Sequence, residues 1–101
     1  MDIEEPINKV ELIHRKLEMM IGERVKVRAN MGRSRIVERD GTILQAHGSL
    51  FVVEVDERRG RKARQSYQYV DVLTGSVELS YPKDGSPIFA FVEEQQQQFD
   101  Q

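Results

Sequence analysis

A long run over residues 33–46 is interrupted near its middle by Asp40-Gly41, and the course of the chain there decides what the protein can fold into. By local rules Asp-Gly is a hairpin turn. The alternative is one long strand that bends sharply at Gly41, where the missing side chain permits a bulge. The flanking runs favour the bend, because a small barrel needs one strand to cross between its two halves.

The segments on either side read as strands. Residues 24–29 alternate Arg, Val, Lys, Val, Arg, Ala, a half-buried strand with its basic residues outward. Residues 30–32 form a turn, since Asn30 and Gly32 both tolerate positive φ. A second turn covers 47–49. Residues 50–55, Leu-Phe-Val-Val-Glu-Val, are the most apolar stretch and the expected central strand. Residues 56–64 read as a highly charged loop with Gly60 at its apex. In residues 66–81, Tyr67 and Tyr69 are two apart and would share one strand face. Val77, Leu79 and Tyr81 repeat the pattern, and a polar turn at Asp71–Gly75 joins the two runs. This stretch looks like the closing edge of a small barrel.

Before the strands, Val10, Ile13, Leu17, Met20 and Ile21 recur at helical spacing. Pro6 suits a first helical turn, Glu4 and Glu5 lie beside the positive dipole end, and Gly22 suits the exit. The expected helix covers residues 6–21. Leu12 and Met19 fall on its opposite side, either as ordinary exposed apolar residues or as a second contact face for a partner or a second copy. After Tyr81, residues 82–87 form a linker or wide turn, and 88–92 either add a sixth strand or pack on the barrel. Residues 93–101 are acidic and Gln-rich and read as disordered. The expected fold is mainly β: a small, strongly bent, five-stranded antiparallel barrel with an N-terminal α-helix over one open end. The expected divisions are 1–22 for the helix, 23–81 for the barrel and 82–101 for the extension and tail.

Composition limits the chemistry. One hundred and one residues make one domain. With no cysteine there is no disulfide framework, thiolate nucleophile or zinc–thiolate site. The opening residues lack a secretory pattern, and no apolar run approaches the roughly 18 residues of a spanning helix. A cytoplasmic protein without membrane association is expected. His14 and His47 lack the further ligands a metal needs. No P-loop, Gly-x-Gly-x-x-Gly motif or nucleophile turn is present. No catalytic, cofactor or metal site is expected. The net charge of −2 hides a gradient: residues 22–80 hold eleven Lys or Arg against eight acids, and both ends are acidic.

Ala29-Asn30-x-Gly32-Arg33, Glu38-Arg39-x-Gly41, Ser66-Tyr67-x-Tyr69-x-Asp71-Val72-Leu73-Thr74 and Val77-Glu78-Leu79 together resemble the Veg family of small bacterial proteins. The likeness covers residues 25–80. It implies an SH3-like (Sm-like) barrel, the bent strand at Gly41, and a non-enzymatic regulatory role. Family members are linked to stimulation of biofilm formation through expression of matrix genes, by opposing a repressor. Gly32, Gly41, Tyr67, Tyr69, Asp71, Leu73 and Thr74 carry the motif as structural positions. His47-Gly48 stands where the family has Tyr-Pro, the 58–64 loop is more basic than the family pattern requires, and the tail after Tyr81 is extra.

The candidate partner surface is basic: Arg24, Lys26, Arg28, Asn30, Arg33, Arg35 and Arg39, joined by Arg58, Arg59, Arg61, Lys62 and Arg64. It would serve a regulatory protein partner or, with Tyr67 and Tyr69 stacking bases, single-stranded RNA or DNA. The plainer reading is a solvated face neutralised by Glu38, Asp40, Glu54, Asp56 and Glu57, with the tyrosines in the core. Arg33, Glu38, Arg39 and Asp71 form either a contact surface or an internal ion-pair network, with the Asp71 side chain capping its turn. Self-association is expected, if at all, through a sheet edge or the Leu12/Met19 face.

Overall fold

In the computed structural model, which describes residues 8–90, the chain runs through helix α1 (Lys9–Met19), strands β1 (Arg24–Asn30), β2 (Ile36–Ala46) and β3 (Leu50–Asp56), a short 3-10 turn (Arg58–Gly60), strand β4 (Lys62–Gln68), helix α2 (Tyr69–Thr74) and strand β5 (Val77–Ser80). The sheet is antiparallel throughout, in the order β4-β3-β2-β1-β5.

The Asp40-Gly41 dipeptide does not turn. β2 passes through it as one strand of 11 residues. Residues 36–42 pair with β1 and residues 41–46 with β3, so only Gly41 and Thr42 have ladder partners on both sides. Gly41 lies opposite Val25 and Val55. A Cβ there would stand 2.7 Å from both the Glu54 carbonyl oxygen and Val53 Cγ1. β3 therefore packs against bare backbone, and that contact lets one strand serve both halves of the sheet. The bulge expected at Gly41 falls instead at Leu44, where the β2–β3 register shifts between Ile43 and Gln45.

Alternation then builds the core. Val25, Val27 and Ala29 of β1, Phe51, Val53 and Val55 of β3, and Val77 and Leu79 of β5 are buried, while the residues between them are half-buried or exposed. β3 is flanked on both sides, but the middle position belongs to β2. Ile13, Leu17 and Met20 of the N-terminal segment cover this apolar face, with Val10 half-buried beside them. The helix starts later than residue 6. Asn8 is its N-cap, its Oδ1 accepting the Glu11 N–H at 3.2 Å. Ile21 is not part of the stripe: the helix ends with Met20 as C-cap, and Ile21 is left 49% exposed. Leu12 and Met19 are exposed.

The 66–81 stretch departs most from expectation. Tyr69 leaves the strand and opens α2, which ends on Gly75 in the left-handed region at φ 87°. Gln68 is the N-cap without a side-chain bond, so Asp71 does not cap; it sits inside the first turn of the helix. Thr74 Oγ1 donates to the Asp71 carbonyl at 3.3 Å. Leu73 packs half-buried on the core. The helix carries the chain from one sheet edge to the other, so β4 and β5 are not neighbours. No ladder joins them among the described residues, and the sheet is open where a closed barrel was expected.

Both tyrosines still reach Phe51. The Tyr67 and Tyr69 rings lie 5.6 and 5.7 Å from it, and the His14 ring of α1 stacks on Tyr69 at 5.6 Å. The fully buried Tyr69 also donates its hydroxyl to the His47 carbonyl, at 2.5 Å. This row of four rings fastens α1 and α2 to β3 and β4.

Beyond β5, the Ile88 N–H donates to the Leu79 carbonyl at 3.0 Å, and Ser80 bridges to Pro87. Ile88 and Phe89 are buried in the core, but the described part of 88–92 adds no sixth strand. Residues 91–92, the 93–101 tail and Pro6 lie outside the described residues. Among the described residues no helix is long and apolar enough to cross a membrane.

Gly41→Val is expected to force β3 away from β2 and to destabilise the fold by about 2–3 kcal/mol. In thermal unfolding that is a fall of roughly 10 °C or more. An unchanged midpoint contradicts the close approach.

Candidate functional site

The basic residues are distributed over three places. The first is the outward face of the sheet, where the register opposes charge with charge. Arg28 of β1 stands opposite Glu38 and Glu78 and reaches them at 3.7 and 3.4 Å. Lys26 stands opposite Asp40, and Arg64 opposite Glu54. Arg24 donates to both oxygens of Asp56, the closer at 2.5 Å, and to Thr42 Oγ1 at 3.2 Å. Lys62 Nζ donates to the same Asp56 at 3.0 Å. Hydrogen bonds from Arg24 and then Lys62 hold the Asp56 carboxyl down to about 2. The bond to Asp56 likewise raises Arg24 above its ordinary value. Exposed pairs of this kind contribute little to stability, because water screens the charges and the long side chains lose freedom. Their main consequence is that this face carries little uncompensated positive charge.

The second place is the β1–β2 hairpin tip. Asn30 Oδ1 accepts the Gly32 N–H at 2.9 Å, and the Met31 N–H donates to the Arg35 carbonyl at 2.7 Å. Gly32, Arg33 and Ser34 all have positive φ, at 102°, 45° and 69°. This tight turn leaves Arg33 and Arg35 exposed beside the apolar Met31 and Ile36. The expected network of Arg33, Glu38, Arg39 and Asp71 is not formed. Arg39 donates at 3.3 Å to the Glu38 backbone carbonyl, the Glu38 carboxylate turns to Arg28, and Asp71 lies on α2.

The third place is a solvent-open groove of about 810 Å³ between the first half of β2 and the β3–β4 connection. Glu38, Arg39 and Asp40 form one wall, and Asp56, Glu57, Arg58, Arg59 and Arg61 the other. The connection is tighter than the expected 56–64 loop: Asp56 still belongs to β3, and β4 starts at Lys62. The Glu57 N–H donates to the Arg61 carbonyl at 2.8 Å, and Arg59 and Gly60 take positive φ of 61° and 72°. The turn therefore directs three arginine side chains outward within four residues. Arg58, Arg59 and Arg61 have no ion-pair partner among the described residues, whereas Glu38 and Asp56 are engaged by Arg28, Arg24 and Lys62. Asp40 and Glu57 are the remaining carboxylates of the groove. Burial pushes the nearby Tyr67 hydroxyl up, and the charge of Arg39 acts against that shift.

The structure thus divides the sequence-derived surface. Arg24, Lys26, Arg28, Lys62 and Arg64 belong to the cross-strand charge lattice, Asn30, Arg33 and Arg35 to the hairpin, and Arg39, Arg58, Arg59 and Arg61 to the groove. Asp40 was read only as neutralising charge, and Glu38 as that or as part of a contact surface with Arg33, Arg39 and Asp71. The acidic wall these two form faces the 58–61 arginines because β2 is continuous through Gly41, and no local motif announces that. Tyr69 is buried and hydroxyl-bonded, and Tyr67 is half-buried on Phe51. Tyr69 therefore offers no free face for base stacking. His14 and His47 sit on separate elements. His14 Nε2 lies 3.2 Å from Glu18, and His47 Nε2 lies 2.9 Å from Gln45.

Asp56→Asn tests the lattice through pH. The folded carboxyl is held low, so its contribution is present above the ordinary carboxyl pKa and is lost as pH falls through the folded value. In urea unfolding the stability gap between wild type and Asp56→Asn is expected to be full at pH 7. It should close as pH falls from about 4 to about 2. A gap unchanged over that range contradicts the assignment.

The family model described as "Biofilm formation stimulator VEG" matches residues 8–80, and the chain belongs to that family. No curated protein matches the sequence. The matched span runs from the α1 N-cap to the end of β5 and so takes in the sheet, both helices and the groove.

Proposed function

For this member of the Veg family, we propose a non-enzymatic cytoplasmic regulator that influences transcription of biofilm-matrix genes by contact with a partner protein. The groove beside the β3–β4 turn is its contact site. The observation that carries this reading is the mixed charge of the groove: Arg58, Arg59 and Arg61, without an ion-pair partner among the described residues, in one cleft that also holds Asp40 and Glu57. A polypeptide segment with acidic residues flanked by basic ones complements such a cleft. A continuous phosphate backbone would meet the carboxylates as well. The burial of Tyr69 and the packing of Tyr67 also favour protein over single-stranded nucleic acid. The strand order, with a helical turn between the two edge strands, supports an SH3-like origin for the sheet.

The test is the triple variant Arg58→Gln, Arg59→Asn, Arg61→Gln, in which Asn keeps the left-handed position acceptable. The variant should keep the wild-type circular dichroism, lose the protein captured by wild type from nuclease-treated lysate, and lower a matrix-gene reporter in cells. Capture that vanishes with nuclease, together with salt-sensitive retention of single-stranded RNA or DNA by the wild type, would favour the nucleic-acid reading instead.

A further inference from the structure

The two edges of the sheet are not equivalent. β5 is four residues long, and the returning chain takes part of its far side, through Ile88 to Leu79 and Pro87 to Ser80. β4 has seven residues, pairs with β3 on one side, and among the described residues has no strand on the other. It contains no proline and no register shift, two of the devices that blunt an exposed edge.

Which backbone groups face outward follows from the register. The Tyr69 N–H donates to the Ser49 carbonyl, one step beyond the Leu50–Gln68 pair. In an antiparallel ladder the inward-bonding residues alternate. Tyr67, Gln65 and Ala63 therefore bond to β3, while Gln68, Ser66, Arg64 and Lys62 turn their N–H and C=O to the open edge. A second strand must bond to those four positions.

β4 is complementary to itself in one register. Centred on Gln65, it pairs Lys62 with Gln68, Ala63 with Tyr67 and Arg64 with Ser66 of a second copy. All seven residues are used, every outward donor meets an outward acceptor, and no like charges stand directly opposite. Moving the centre to residue 64 sets Arg64 against Arg64. Moving it to residue 66 leaves Lys62 and Ala63 without partners. In the favoured register the two Arg64 side chains meet only diagonally, at roughly 7–8 Å, and each already stands opposite its own Glu54.

We propose that the chain forms a two-fold dimer by antiparallel β4–β4 pairing with Gln65 opposite Gln65. This goes beyond the partner-binding reading and uses a different surface, since the groove arginines precede β4 and take no part in the ladder. Antiparallel pairing places the two 58–61 turns at opposite ends of the joined strands, so both grooves stay accessible.

The test uses the full chain, which has no native cysteine to compete. Sedimentation is expected to give twice the 11.7 kDa chain mass. Gln65→Cys should form a symmetric disulfide on mild oxidation. Position 65 is a non-hydrogen-bonded pair with itself, with Cα atoms about 4.5 Å apart, within disulfide reach. Ser66→Cys, which faces Arg64 of the second copy, should cross-link far less. Ser66→Pro removes an outward N–H without touching the β3 ladder, so it should fold normally and weaken association roughly ten- to hundredfold. A monomer at about 0.1 mM, inside the μM–mM range in which unpaired strand edges associate, overturns the proposal. So does a dimer that survives Ser66→Pro, or one in which the two cysteine variants cross-link equally. If the dimer persists in Ser66→Pro but is lost in Leu12→Lys, the contact is the α1 face and not β4.

Discussion

Everything in this fold depends on how closely β3 can approach β2 at Gly41. The backbone of Glu54 and the side chain of Val53 fill the space where any other residue would place its Cβ. With that space free, β2 changes partners while remaining one strand, from β1 along its first half to β3 along its second. Steric exclusion is a stronger constraint here than turn propensity. Asp-Gly would form a hairpin in isolation, but pairing on both sides uses backbone groups that a turn would leave unmet.

The charge arrangement follows from the same continuity. Because β2 runs on through Gly41, Glu38 and Asp40 are set opposite Arg28 and Lys26, and with Arg39 they face the β3–β4 turn. Arg24, Lys26, Arg28, Lys62 and Arg64 are thereby met by acids across strands. Of the charge left over, Arg33 and Arg35 lie at the hairpin tip and Arg39, Arg58, Arg59 and Arg61 at the groove, the last three in a turn made possible by left-handed Arg59 and Gly60. The function proposed for this Veg-family chain needs no reactive group. It needs a rigid sheet to hold a few uncompensated guanidinium groups at the rim of a cleft.

The strands, their inward faces and the helix stripe were readable because period-two and period-3.6 patterns are local properties of the chain. Val25, Val27, Phe51, Val53, Val55, Val77 and Leu79 are buried as alternation requires. Two boundary signals were present but outweighed: Asn8 three residues before Glu11, which caps α1 later than Pro6 suggested, and Gly75 after Thr74, which ends a helix and not a turn. Tyr69 misled because spacing alone cannot tell a strand residue from the first residue of a helix on the same side of Phe51. Barrel closure was not derivable, since it depends on where α2 delivers β5. The groove was half visible. Its arginines form an obvious run, but the wall opposite them exists only once β2 is known to pass straight through Gly41.

Amide hydrogen exchange at Gly41 reports whether β2 runs unbroken through that residue. The Ile43 N–H donates to the Glu23 carbonyl at 3.1 Å, so two residues earlier the Gly41 N–H points to Val25 of β1 in the same ladder. The account predicts that Gly41 exchanges as slowly as Ile43 and Val53, through global unfolding. Fast exchange at Gly41, with Ile43 and Val53 still protected, would reveal a turn at that point and contradict the continuous strand.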